Sequence, residues 1–424
     1  MSTQSTPSIL FTHNSAQQPF RLLELSPELA ELLSSDCPPT LELKSPCPVA
    51  LSTTATASQA QQTPTPAADF VNLCTPTATY SIRQVQSSNS LHVLQPSSGG
   101  SVRRHDLSIV GGPVEEGEEM DVDTEMEGDR ELNLNIEGTV TTIAKCGSTL
   151  ELHTPAEGFS ALPFLRSLLR VFEEGMDVDM EEVVPGSEST LVKRSVLDRL
   201  FADVPVSRAQ CELAWVELCA FVLIPREMGD DAAGPMLSRY WRPSAGMKLY
   251  VWKRAVDGAV LQGIDLRSQF LVKDLWRSVL EDDGIEPFPW PLFEAVIRRI
   301  CEAESGVSVG SGMKWASIDQ ESCVRWVGET YLEAMAPTAA SSIGQSEYTN
   351  AWKDQLPESW RENVSLSILP NNCYMHPEPK TICFATEVDR QKVKKNLSTD
   401  TSAATAAKKT RNWHELFNQK RQKR

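Results

Sequence analysis

Three observations predict the fold class. Short stretches alternating apolar and polar residues crowd the first 155 residues, helix-period runs followed by strand-like runs recur after residue 190, and polar or acidic tracts separate them. Together they predict an α+β multidomain protein: a small N-terminal β-barrel or sandwich completed by partner subunits, then tandem winged-helix domains. The predicted divisions are a disordered tail at 1–15, a β-barrel-type partner-binding region at 16–155 with loops at 52–68 and 113–130, and a helical, acidic linker at 156–189. Winged helices follow at 190–254, 255–338 and 339–390, and a basic tail at 391–424.

The N-terminal elements come first. In "FRLLELSPELAELL" (20–33), Ser26 and Pro27 are suited to start a short helix with Leu29, Leu32 and Leu33 on one side. "TLELKS" (40–45) alternates and predicts a strand, and the Ser/Thr/Ala/Gln/Pro tract at 52–68 is an insertion loop. In 70–94, Tyr80 and Ile82 share one face and Leu91 and Val93 repeat the pattern after "QSSNS", which predicts a hairpin. Further strands are expected at "HDLSIVGG" (105–112), "ELNLNIEGTVTTIAKC" (131–146) and "TLELHTP" (149–155). With its two long loops removed this unit has a small core, of the kind that a partner chain completes.

Helices dominate afterwards. "FSALPFLRSLLRVFEE" is expected to be one short apolar helix. "STLVKRSVLDRLFADVP" places Leu197, Leu200 and Phe201 at helix spacing, and Ser207 with Gln210 makes a capping box for a helix whose Cys211, Trp215, Leu218 and Val222 form a stripe. Two helices joined by "DVPVS", with a strand-like end, read as a helix-turn-helix with a wing. The pattern recurs in "FLVKDLWRSVL" (270–280), "PWPLFEAVIRRIC" (289–301), "MKWASI" (313–318) and "DQESCVRWVGETYLEAM" (319–335). In the last of these Cys323, Trp326, Val327, Thr330, Tyr331 and Ala334 share a face. A third set runs from "SEYTNAWKDQLP" (346–357) to an expected hairpin at 373–386.

Charge is unevenly placed. The net charge of −17 is concentrated in 115–131, with ten acids against one Arg, and 173–188, with seven acids and no Lys or Arg, while 391–424 holds ten Lys/Arg against two acids. Such blocks stay solvated, so two acidic surface loops and a basic tail are expected. "KKTR" (408–411) and "KRQKR" (420–424) suit phosphate neutralisation or a nuclear import signal. The first twenty residues lack the charge and apolar pattern of a signal peptide, and no run of 18 uncharged apolar residues appears, so an intracellular protein with no membrane partner is expected. The ten Cys include no C-x-x-C and are expected to be reduced.

The residues that carry chemistry elsewhere are not assembled here. The six His have no Cys or His at ligand spacing, so no metal site is expected. "GVSVGSGMK" (306–314) fails the phosphate-loop spacing, and "EDD" (281–283) precedes Gly284 as a solvated turn would. No G-x-S-x-G is present and no Cys or Ser has a recognisable base, so the expectation is a non-enzyme without cofactor. Trp215, Trp276, Trp326 and Trp360 are expected in the core, whereas Trp241 and Trp413, set among arginines, are either partner anchors or packing groups.

"FRLLELSPELAELL", the strand ending in Lys44, and above all "LCTPTATYSIRQVQSSNSL" (73–91) resemble the N-terminal signature of the defective-in-sister-chromatid-cohesion protein family. "LFADVPVSRAQCELAWVELCAF" resembles that family's first winged helix, and "AWKDQLPESW" and "RNWHELFNQKR" later segments, so the likeness covers about 20–420 apart from the long acidic insertions. It implies a nuclear accessory subunit of the cohesion-type alternative replication factor C clamp loader. The implied partners are the large clamp-loader subunit and a small cohesion subunit, joined in a shared β-barrel assembly. Leading-strand DNA polymerase epsilon and single- and double-stranded DNA are implied as further partners, contacted by the winged helices. The candidate partner-binding residues are Thr79, Tyr80, Arg83, Ser88 and Asn89. The candidate phosphate contacts are Lys353, Arg361, Lys380, Lys408, Lys409, Arg411, Lys420, Arg421, Lys423 and Arg424. The alternative is a stand-alone winged-helix DNA-binding regulator, which calls for a basic recognition helix. "SRAQCELAWVELCAF" holds one Arg against two Glu.

Overall fold

The computed structural model describes residues 11–13, 20–45, 71–97, 139–156, 158–176, 187–223, 240–280, 286–301, 309, 311–370, 372–386 and 389–390. The expected loops at 52–68 and 113–130, the strand at 105–112 and the tail at 391–424 lie outside these residues. The chain divides into two compact units, Met1–Phe159 and Ser160–Arg424, and its folding class is mixed α+β.

The first unit is one sheet with a short helix. Its strands are β1 (Phe11–His13), β2 (Leu22–Glu24), β3 (Glu42–Lys44), β4 (Val71–Cys74), β5 (Thr79–Ser97) and β6 (Thr139–His153). Both β1 and β2 run parallel to β6, at its two ends, and the order continues antiparallel through β5, β4 and β3. Among the described residues this sheet is open and does not close on itself. The helix α1 (Pro27–Leu33) starts as its sequence dictates: the Ser26 side chain accepts from the Leu29 amide at 3.3 Å, and Pro27 supplies the preset first turn. Leu29 is buried, but Leu32 is exposed.

The hairpin expected to turn at "QSSNS" turns elsewhere. The reversal is at Thr75–Ala78, where the Thr75 hydroxyl accepts from the amides of Thr77 and Ala78 and the Thr75 amide donates to the Ala78 carbonyl at 2.8 Å. Strand β5 then runs unbroken through 86–90, with its register against β6 shifting between Gln86 and Leu91, opposite Gly147. The physical reason is non-local: β6 pairs with β5 on both sides of that polar stretch, so the extra residues bulge within the ladder. For the same reason the strands expected at 131–146 and 149–155 are one strand, β6, with Gly147 inside it.

In the second unit one chain order occurs three times: helix, strand, helix, helix, strand, strand. The first set is α2 (Leu162–Leu168), β7 (Arg170–Phe172), α3 (Ser187–Ala202), α4 (Arg208–Glu217), β8 (Phe221–Val222) and β9 (Tyr240–Pro243). The second is α5 (Ala245–Gln262), β10 (Phe270–Leu271), α6 (Val272–Val279), α7 (Trp290–Ile300), the bridge residue Cys301, and β11 (Trp315–Ala316). The third is α8 (Gln320–Met335), β12 (Ile343–Gly344), α9 (Gln345–Asp354), a 3-10 turn at Glu358–Asn363, β13 (Tyr374–Met375) and β14 (Thr381–Phe384). In each set the first strand pairs with the last and the last with the middle one, Cys301 and Ile318 standing in for that pair in the second. The expected boundary at 254/255 falls inside α5, and α8, expected to close a unit, opens the third set. The run "FSALPFLRSLLRVFEE" is not one helix. It extends after Leu168 because β7 pairs with β9, about seventy residues later.

Local signals explain the helices. Ser207 and Gln210 form the capping box of α4, Ser244 caps α5, Asp319 caps α8, and Gly263 ends α5 in the left-handed conformation at φ 64°. The buried faces of α5 and α8 join one core, whose residues run from Phe172 to Cys383. Two close approaches need glycine. Gly258 on α5 leaves no room for a Cβ against Ser278 of α6, and a Cβ on Gly328 of α8 would lie 2.5 Å from the ring of Trp352. Trp252 ties α5 to the third set by donating to the Gln355 carbonyl at 2.8 Å and stacking on Trp360.

Candidate interaction surfaces

Among the described residues of the first unit the buried apolar ones are Leu29, Leu73, Cys74, Ala144 and Cys146, matched by as many buried polar ones: Lys44, Asn72, Thr75, Thr79 and Thr142. Phe20, Leu23, Leu25, Leu32, Leu43, Val71, Leu91 and Leu94 stay exposed, eight against six among the described residues of the second unit. Apolar area left in water forfeits about 25 cal/mol per Å², so covering these side chains would be favourable. On β3 the alternation is inverted from the expected one: Leu43 is 68 % exposed while Lys44 turns inward, 3.1 Å from Glu42. The sheet also offers unfilled edges. β4 spans only Thr79–Ile82 of β5, so residues 83–97 have β6 on one side and, among the described residues, no strand on the other.

The predicted partner-binding residues are spread along β5. Thr79 is buried beside Cys74, 3.9 Å from its sulfur, and is a packing group of the sheet. Tyr80 is half-buried opposite Leu73. Arg83 reaches across to Glu151 of β6, donating from Nη2 at 2.8 Å and Nε at 3.2 Å to one carboxylate oxygen. Ser88 and Asn89 lie exposed in the bulge. The structure thus separates one interior residue from surface-facing ones, a division the sequence pattern does not show.

The predicted cations of the third set are not gathered into one patch. The Lys380 carbonyl accepts from the Gln345 amide at 3.0 Å, which puts Lys380 at the start of α9. Lys353 is in the last turn of the same helix, and Arg361 follows in the next turn, where its Nε donates to the Leu356 carbonyl at 3.3 Å. Ten helical residues span about 15 Å, so Lys380 and Lys353 belong to opposite ends of α9, and Arg361 follows in the 3-10 turn beyond it. Lys408, Lys409, Arg411, Lys420, Arg421, Lys423, Arg424 and Trp413 lie outside the described residues. In the first set Arg208, the cation of α4, is held by Asp198 and by Glu212 at 3.0 Å. Trp241 is buried, edge-on to Phe172, with Arg170 over its ring, so packing is its role.

Perturbed ionisable groups trace the core. Burial pushes the thiols of Cys219 and Cys323 up and that of Cys373 up to about 12, which leaves them protonated and unreactive at neutral pH. Burial also raises Glu329, against the opposing pull of Arg299, Arg325 and Arg390. Among the described residues no three His, Cys, Asp or Glu are placed to hold a metal ion, and no helix is long and apolar enough to cross a membrane.

Comparison with known proteins gives one family. No curated protein matches the chain. The family described as sister chromatid cohesion protein Dcc1 matches residues 20–390, which take in the whole six-stranded sheet except β1 and all three helix–strand sets. With its role in sister chromatid cohesion, this is the family to which the chain belongs.

Proposed function

We propose that the chain is a non-catalytic nuclear subunit of the alternative clamp loader that loads or unloads the sliding clamp during DNA replication. The first unit docks the large clamp-loader subunit and a small cohesion subunit, whose strands complete its sheet as a shared barrel. The second unit is three fused winged helices that meet DNA and polymerase epsilon. The observation that carries this reading is the first unit's sheet, which among the described residues has five buried apolar residues, eight exposed ones and no second neighbouring strand along 83–97 of β5. The thrice-repeated helix–strand–helix–helix–strand–strand order supports the winged helices. Against a stand-alone sequence reader stands α4, whose Arg208 is committed to Asp198 and Glu212.

Capture from nuclear extract tests the docking. Tagged full-length chain should recover clamp-loader subunits, and a chain lacking residues 1–159 should lose them while keeping its own cooperative melt. Recovery by the truncated chain would move the docking site to the second unit. DNA contact is tested separately. Reversing Lys353, Arg361 and Lys380 to Glu, together with Lys408, Lys409, Arg411, Lys420, Arg421, Lys423 and Arg424 of the tail, should weaken binding on all sequences alike. The log–log salt slope should flatten by roughly 0.7 to 0.9 for each phosphate that is no longer neutralised. An unchanged slope with lost nuclear accumulation would assign the tail to import alone.

A further inference from the structure

Trp315 is the exception among the described tryptophans. It is 46 % exposed, whereas Trp215, Trp241, Trp252, Trp276, Trp326, Trp352 and Trp360 are buried and Trp290 is half-buried. The register of the β10–β11 pair explains which way it faces. Phe270 lies opposite Ala316, and both are buried against the helices; Leu271 lies opposite Trp315 on the other face. The next residues of that outward face, Gln269 and Ser317, are polar. The indole is thus nearly half exposed on a face that also carries Leu271, Gln269 and Ser317, a setting in which its ring is open to stacking.

Cations flank it. The Val272 amide donates to the Lys314 carbonyl at 3.1 Å, which brings Lys273, at the start of α6, beside Lys314 and next to Trp315. Both lysines are exposed and make no ion pair among the described residues. At the far end of the pair the Ile318 amide donates to the Leu266 carbonyl at 2.9 Å, placing exposed Arg267 there. The nearby described acids are each committed: Asp265 to Arg267, Asp274 to Arg277 at 3.0 Å, and Asp319 to the Ser322 amide that it caps. An exposed aromatic between unpaired lysines, in a chain of net charge −17, is the arrangement by which single-stranded nucleic acid is held. Phosphates take the cations and a base takes the ring. A base inside a duplex is already stacked on both faces and cannot use the platform.

We propose that the outward face of the β10–β11 pair is a stacking platform for one unpaired base of single-stranded nucleic acid, with Trp315 as the ring and Lys273 and Lys314 as phosphate contacts. The proposal takes its ligand class from the DNA-binding function proposed for the second unit and adds a site on the second set, built from residues other than the third-set and tail cations.

The test measures the full-length chain with a fluorescent oligo(dT) strand and with a duplex of equal length, by anisotropy. Trp315→Ala should weaken the single strand by roughly 5- to 100-fold, the worth of one base–aromatic stack, and leave the duplex within about twofold. Trp315→Tyr, which keeps a ring, should recover most of the loss. Lys273→Glu with Lys314→Glu should weaken both ligands and lower the single-strand salt slope by about 1.4. Equal effects of Trp315→Ala on both ligands, or none on either, overturn the platform. If Trp315→Ala leaves both unchanged and abolishes capture of a protein partner, the surface is a protein anchor and the proposal fails. The α9 and tail reversals leave this site intact, so their outcome fails or succeeds independently of Trp315.

Discussion

Gly328→Leu should melt the second unit roughly 6–12 °C or more below the wild type, the equivalent of at least ~3 kcal/mol. The cause is a single crossing. α8 meets α9 where Trp352, fully buried, lies flat against the α8 backbone; its Nε1 donates to the Val324 carbonyl at 2.9 Å. On the same turn the Tyr348 hydroxyl donates to the Gly328 carbonyl at 2.9 Å. A Cβ on Gly328 would stand 2.5 Å from two ring carbons, so the indole has to move, and its bond to the Val324 carbonyl depends on its staying. Alanine gains about 1 kcal/mol of helix propensity over glycine, which overpacking of about 1–3 kcal/mol outweighs. Gly328→Ala should therefore destabilise modestly and Gly328→Leu severely. Trp352→Leu removes the obstruction at its own cavity cost, and the double variant Gly328→Ala/Trp352→Leu should be more stable than the sum of the single changes predicts. Thermal melts followed by near-ultraviolet circular dichroism read all four proteins. A Gly328→Leu melt within about 2 °C of wild type would show that the crossing has room that the packing denies.

This crossing also marks what the sequence could tell. The faces of single helices were legible. Cys211 and Trp215 are buried on α4 as expected, with Leu218 at its C-cap, and so are Cys323, Trp326, Val327 and Thr330 on α8, because each pattern reports a single helix; Val222, expected on the α4 stripe, is buried on strand β8 instead. Caps were legible for the same reason, as Ser26, Ser207 and Asp319 act within their own first turns. Pairings over long sequence separations were not. Nothing local in "QSSNS" says that β6 waits on its flank, and nothing local in "LLRVF" says that β9 will turn its end into a strand. The candidate sites followed this division. Basic residues near the third set could be named, yet their separation along α9 depends on the turn that brings Lys380 back to Gln345. Trp315 passed as an ordinary strand residue because its exposure follows from the register with Leu271, a property of two strands.

Leu91→Asp combined with Leu94→Asp should abolish assembly with the partner subunits while the chain remains folded. Both residues are nearly half exposed on β5, in the segment that β4 does not cover. Their backbone pairing with Cys146 and Thr142 of β6 does not involve the side chains, so the sheet should persist, and exposed substitutions usually change stability by no more than about 0.5 kcal/mol. In the assembled state the balance differs. A partner strand laid along 83–97 covers these positions, and each leucine then contributes roughly 1.5–3 kcal/mol of burial. Aspartate forfeits that contribution and adds the cost of desolvating a carboxylate with no cation opposite, so the pair should weaken assembly by well over about 100-fold. Leu213→Asp is the control: Leu213 is 72 % exposed on α4 of the second unit, and its replacement should leave docking by the first unit intact. Co-expression with the large and small partner subunits, followed by size-exclusion chromatography and calorimetric titration, separates the outcomes. If the doubly charged β5 still assembles at wild-type affinity, the uncovered edge is not where the partners bind, and the exposed leucines of β3 and the α1 segment become the face to alter next.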